Sequence, residues 1–271
     1  MIVIRACLGL LIVLLTSCAT PNKNTSVNTD SLTDIQQLNN KDNDPTASGD
    51  EEKISQIRLD AVKETALTLG AQSGLAHRSK EINNTLQTER TELRNIFNFG
   101  ALMLEHGIQP PVLISAENTL NYESPDVLRI SDKTYKIVKQ AQFVTVPATW
   151  QTYLWMQYKQ PEIPHKTLLP RNDEEELIWQ EYIAIGWKNG IRQANSIFQT
   201  NLARIKRDYN GMLLYRELLA KNMISKPYVA KTELGVTGDG NTMNINDQVL
   251  RITAASQLNT DTKEWRPILV K

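Results

Sequence analysis

Catalysis or metal binding needs nucleophiles, acids and bases, or ligands at workable spacings, and this 271-residue sequence holds few such sets. Its three histidines, His77, His106 and His165, lie on separate segments with no ligand partner four residues on, so they form no metal box. A Gly-rich phosphate loop, a Gly-x-Ser-x-Gly elbow and a dinucleotide fingerprint are all missing from the sequence. Glycan hydrolysis would need two carboxylates held apart across a cleft. Glu174, Glu175 and Glu176 supply the residue type, but they open a helical run, where capping and the helix dipole account for them. Arg192, Arg204, Arg207 and Asp208 read as helix-surface or inter-element ion pairs. The Gly238-Asp239-Gly240-Asn241 step lacks the spaced carboxylates and closing Glu of a calcium loop, and reads as a turn. Lys plus Arg and Asp plus Glu both total 30, so no charge excess points to nucleic acid. These residues predict a protein that is not an enzyme and that takes no cofactor, metal or small-molecule substrate.

The sulfur chemistry is confined to one end. Cys7 and Cys18 are the two cysteines, so the rest of the chain has no thiol for disulfides, zinc or catalysis. Arg5 followed by a short apolar run over 6–15 reads as an export signal, too short to span a bilayer, which takes about 20 residues. It ends in Leu15-Thr16-Ser17-Cys18, which is similar to a bacterial lipobox, with cleavage between Ser17 and Cys18 and lipidation of the Cys18 thiol. The plainer reading is an ordinary signal peptide with a chance cysteine. Two or three acyl chains at about 0.8 kcal/mol per buried methylene would hold the protein at a membrane permanently. Residue 19 is Ala and not Asp, which by Gram-negative sorting rules favours the outer membrane, with the folded part in the periplasm.

The elements behind these residues divide the chain into a signal (1–17), a lipidated tether (18–50) and one folded domain (51–271). The tether is rich in Asn, Asp, Thr and Ser without an aromatic, and is expected to be disordered with a reach of roughly 30 Å. Helical spacing returns from 51 to about 106, and again over 172–223, where Ile178, Tyr182, Ile185, Ile191, Phe198 and Leu202 fall on threes and fours. Asn172 or Asp173 caps this second run and Pro227 forbids its continuation. A single rod would reach about 75 Å, so a break near Gly211 is expected. Both runs carry small residues at steps of four: Ala66, Gly70 and Gly74 in the first, Gly186, Gly190 and Ala194 in the second. Since a helical glycine costs about 1 kcal/mol against alanine, two readings stand. Either the stripes let backbones approach closely, facing each other or a symmetry-related partner, or Gly70 to Gly74 separates two helices.

Between the helical runs, 112–114, 127–130 and 135–146 have strand character, and 150–156 is an aromatic cluster readable as core or as a membrane or partner surface. Residues 228–236, 242–245 and 248–253 read as a C-terminal β-meander, with 265–270 as a docking edge strand or a partner-binding segment. The fold class is α+β: long helices packed with short antiparallel strands.

Three strings carry a family resemblance: TYKIVKQAQFVTVPATWQTYLWM, GWKNGIRQANSIFQTNLARIKRDYNGM and LGVTGDGNTMNINDQVLRIT. They resemble the DotC family, the outer-membrane lipoproteins of Dot/Icm (type IVB) secretion machines, over roughly 54 to the C-terminus. The resemblance implies a lipid-anchored structural subunit of the outer-membrane core complex, partnered by a DotD-like lipoprotein and a DotH-like protein, that helps assemble a channel for effector or conjugative export. The alternative from another class is a periplasmic lipoprotein that binds or modifies cell-wall glycan.

Overall fold

Leu32, Ile35 and Leu38 recur at steps of three, a spacing that aligns them on one face of a turn of helix. In a computed structural model, which describes residues 29–40 and 56–267, they do form such a face. Helix α1 (Leu32–Gln36) buries Ile35 completely, and the Ile35 carbonyl accepts a 2.9 Å hydrogen bond from the buried Trp179 indole. The reading of 18–50 as an unstructured tether therefore fails over 29–40. Three apolar side chains and a tryptophan donor suffice to fix a segment that is otherwise polar.

Helix α2 (Gln56–Thr88) runs unbroken through Gly70 and Gly74, so these glycines do not separate two helices. Helical structure stops sooner than the spacing suggested, with α3 (Arg90–Ile96), short 3-10 turns at Phe99–Leu102 and Glu105–Gly107, and a left-handed His106. Strand β1 (Ile108–Gln109) then leads through the two prolines into β2 (Val112–Ser124), which pairs antiparallel with β3 (Val127–Lys139). The separate short strands expected here are thus one long hairpin. Strand β4 (Gln142–Phe143) closes back on β1, and α4 (Trp150–Leu154) follows, capped by Thr149.

Helix α5 (Asp173–Ala220) is one helix of 48 residues, about 72 Å long at 1.5 Å per residue, and does not break at Gly211. Gly211 is instead where β2 lies on the helix: a Cβ there would meet the Leu113 carbonyl oxygen at 2.5 Å. The Asn172 side chain accepts from the Glu175 amide at 2.8 Å, capping the start. At the end, Asn222 takes a left-handed conformation, Asn222 N–H donates to the Leu219 carbonyl and Met223 N–H to the Leu218 carbonyl. This Schellman arrangement stops the helix at Ala220, well ahead of Pro227.

The expected C-terminal meander is a two-stranded hairpin, β5 (Tyr228–Gly238) with β6 (Met243–Ala254). Asn246-Asp247 does not turn the chain. Asn246 adopts φ 57° next to Asp247, which pairs with Gly235 at φ 77°, and the register shifts there, so the site is a bulge within continuous pairing. Residues 265–267 add no strand; the Trp265 indole and Arg266 N–H bond to the Asn259 and Lys221 carbonyls, and 268–270 lie outside the described residues.

The architecture is α+β. α2 and α5 lie parallel, as Arg58 meets Glu175 near both N-termini and Arg78 meets Asn195 further along. One core cluster covers the α1 end, around Trp179, Ile183, Val62 and Leu69. A second fills the space under α4 with Trp150, Tyr153, Leu154, Ile205 and Met212. A third, around Leu113, Tyr215, Leu218 and Ile224, holds the base of β2–β3 and the segments flanking β5–β6 at the C-terminal part of α5.

Candidate functional site

The side chains that give this molecule its shape are the missing ones. A Cβ built on Gly70 would sit 2.4 Å from the Ile183 carbonyl oxygen, and one on Gly74 would sit 2.4 Å from that of Trp187. In return Gly186 faces the Leu67 carbonyl oxygen at 2.3 Å and Gly190 that of Ala71 at 2.1 Å. Each glycine thus meets the carbonyl three residues before its counterpart on the other helix. The two parallel helices approach through a local two-fold relation, as small-residue stripes permit. Cα–H groups facing carbonyls at such a crossing add weak hydrogen bonds. Ala66 and Ala194, fully buried, flank the contact in separate core clusters.

Polar side chains fix the ends of this pair. Glu175, 2% exposed, takes both arms of Arg58, at 2.7 Å and 2.9 Å, and accepts the Arg171 amide at 2.9 Å. Arg58 also donates to the Thr167 and Leu169 carbonyls, so one guanidinium ties α2, α5 and the 165–169 turn together. The Glu175 carboxylate thus takes the amide one residue before the Asn172 cap as well as the Arg58 guanidinium. Asn83, also buried, pairs both ends of its amide with the backbone of Met156 at 2.9 Å.

Asp208 is the hub of the hairpin base. Its side chain is fully buried and accepts from Lys139 on β3 at 2.5 Å, Tyr153 on α4 at 3.0 Å and Arg207 at 2.8 Å. Burial pushes its carboxyl up, but the hydrogen bonds from Lys139, Arg207 and Tyr153 outweigh burial and hold it below the usual carboxylate value. Burial, then the Asp208 charge, pushes the Tyr153 hydroxyl up. The aromatic stretch is largely core: Trp150, Tyr153 and Leu154 are buried, Phe99 stacks on Tyr153, and only Trp155 stands half exposed.

The candidate catalytic features disperse. His77 pairs with Glu81 and packs on Trp187, His106 sits in its turn, and His165 caps the 3-10 turn Lys166–Leu168. Asp239 accepts the Asn241 and Thr242 amides, which hold its carboxyl below the usual range, as in a turn. A groove of about 370 Å³ between α2 and 162–164 includes Glu64 and Glu162. Both carboxylates are exposed, and Lys159 holds Glu162 below its ordinary value, the wrong direction for a general acid. Ser17 and Cys18 lie outside the described residues.

What sequence reasoning missed is the pair of projecting hairpins. Beyond the buried Val112 and Leu113, both faces of β2–β3 are exposed almost throughout, with Leu120, Tyr122, Leu128 and Ile130 at 46–81% exposure. The pairings Tyr122↔Leu128 and Leu120↔Ile130 put all four on one face. The other face carries Glu117, Asn121, Glu123, Arg129 and Lys133. Val236, Met243 and Ile245 are similarly exposed near the tip of β5–β6. The alternation over 120–130 was the signal available for this amphipathic surface. No helix among the described residues is long and apolar enough to cross a membrane.

Residues 56–267, most of the chain, match the family model described as type IV secretory system, conjugal DNA-protein transfer. No curated protein matches the sequence.

Proposed function

The chain belongs to the family of type IV secretory system proteins of conjugal DNA-protein transfer, and from that premise we propose that it is a lipid-anchored structural subunit of the outer-membrane core complex of a type IVB, Dot/Icm-like machine. In this reading it is DotC-like, attached through Cys18, faces the periplasm and assembles with DotD-like and DotH-like subunits. It performs no catalysis.

The observation that carries the reading is the division of the molecule into a stiff helical pair and two exposed hairpins. Glycine-to-carbonyl contacts and the Arg58–Glu175 and Asp208 pairings give a rigid core. The hairpins present apolar side chains and unpaired strand edges outward, and a two-stranded hairpin is marginal in water on its own. Such elements are suited to be completed by neighbours in an assembly. The charged groups at the core are consumed in holding elements together, which supports a scaffold over a catalyst.

The test is complementation. In a strain lacking this chain, effector or conjugative transfer is measured after supplying the native protein or Cys18→Ala, alongside density-gradient separation of membranes. The native chain restores transfer and sediments with the outer membrane, whereas Cys18→Ala does neither. Restoration of transfer by Cys18→Ala from a soluble periplasmic pool would refute the anchored role.

A further inference from the structure

The β2–β3 hairpin has two open edges of opposite charge. β2 carries Glu117 and Glu123 and no base, while β3 carries Arg129, Lys133, Lys136 and Lys139 against the lone Asp132. Within one hairpin these strands already pair by charge, with Arg129 to Glu123 at 2.6 Å and Lys133 to Glu117 at 3.6 Å. Beyond its base the hairpin is covered by nothing else among the described residues, since 115–124 and 127–133 are exposed or half-exposed throughout. Each outer edge offers a row of backbone N–H and C=O groups that a further strand can satisfy.

We propose that the β2–β3 hairpin is a self-assembly surface on which β3 of one copy pairs antiparallel with β2 of the next, head to tail. Charge decides the orientation. A two-fold contact of β2 on β2 sets Glu117 and Glu123 against their own copies, and β3 on β3 sets Arg129, Lys133 and Lys136 against theirs. Like charges across strands destabilise pairing. The heterologous contact instead repeats across the interface the acid-to-base order that exists within each hairpin. It also keeps the faces in step, because registers differing by two residues preserve which side chains share a face. Leu120, Tyr122, Leu128 and Ile130 then join into one apolar band along the sheet. A heterologous contact regenerates a free edge at each step, so it builds a ring where the rotation closes.

This deepens the scaffold reading and rests on it, by naming a second copy of the chain as one partner; its test does not require the other subunits. Two differently tagged full-length chains are co-expressed and purified in detergent: the native chain and a charge-swapped chain, E117K/E123K/R129E/K133E. The swap keeps both cross-strand pairs inside the hairpin with their signs reversed, so each chain folds its own hairpin. Native and swapped chains are each expected to form oligomers with their own kind, measured by light scattering. Native–swapped co-purification is expected to fall roughly ten-fold below native–native, since each mixed interface sets like charges together. Equal co-purification of native and swapped chains overturns the charge-guided contact, as does a native chain that stays monomeric. A swapped chain that retains its far-ultraviolet circular dichroism but does not self-associate overturns the strand pairing too. If the swapped chain loses that signal, a native–Leu120→Lys/Ile130→Lys comparison decides: self-association must fall when the apolar band is broken. When the native chain is instead purified from cells that carry the secretion machine, self-association with no secretion subunit recovered would count against the scaffold reading alone.

Discussion

Replacing a helical glycine by alanine ordinarily stabilises a protein by about 1 kcal/mol, because alanine is the better helix former. At Gly190 the structure predicts the opposite sign. The new methyl would lie 2.1 Å from the Ala71 carbonyl oxygen and 2.6 Å from the Leu75 amide nitrogen, both backbone atoms on a facing helix. A carbon needs about 3.3 Å from a carbonyl oxygen, so the helices must separate by about 1 Å locally. A gap of 0.5–1 Å forfeits about a quarter to a half of each van der Waals contact. Overpacking of this kind costs about 1–3 kcal/mol, and here the opposing atoms cannot rotate away. Taken at the top of that range, because two backbones are involved, and set against the propensity gain, the net loss is about 2 kcal/mol. For a chain of this size that is a fall in melting temperature of about 4–8 °C. Thermal unfolding followed by circular dichroism measures it, with Gly240→Ala as the control, since a Cβ there meets nothing within 4 Å. A Gly190→Ala protein as stable as the native one, or more so, would show that the helices do not approach through the glycine stripe.

Three further outcomes follow from individual contacts. Arg58→Ala leaves the buried Glu175 carboxylate without its bidentate partner and should cost about 2–3 kcal/mol, below the fully buried range because Arg58 is 22% exposed; denaturant unfolding checks it. Ile35→Ala empties a fully buried site under α1 and should cost about 2–4 kcal/mol of local docking, seen as faster proteolysis within 29–40 while the rest of the chain resists. Asp208 has a depressed pKa in the folded state, so its contribution is present above the ordinary carboxylate value of about 3.9 and disappears as the pH falls through the lower folded value. The native chain should therefore lose stability on acidification below about pH 4 more steeply than Asp208→Asn, and hydrogen exchange at 136–139 on β3 should speed up over the same range.

The helical half of this fold was legible because its signals are local. Threes and fours mark α2 and α5, Asn172 marks a start, and four glycines at paired spacings suggest a close contact before any geometry is known. Their parallel pairing was not legible, since Arg58 and Glu175 or Arg78 and Asn195 are brought together from 117 positions apart. The break expected at Gly211 rested on glycine as a helix breaker, whereas its use here is to admit the backbone of β2. The hairpins were read as fragments because polar residues interrupt them and because Asn118 and Asn246 take left-handed conformations inside strands. A strand that buries neither face leaves only a weak alternation to read. Residues 29–40 were hidden by composition: their Asn and Thr content outweighs three apolar side chains whose value depends on Trp179, far along the chain.

The central claim, an anchored structural subunit of an envelope secretion complex, is tested most directly by affinity isolation from detergent-solubilised envelopes, run in parallel for the native chain and Cys18→Ala. The account predicts that the native chain brings down a large complex containing other envelope subunits of the secretion machine in fixed proportion, and that Cys18→Ala recovers little of it. A native chain recovered alone, with no secretion subunit above background in either sample, would contradict it.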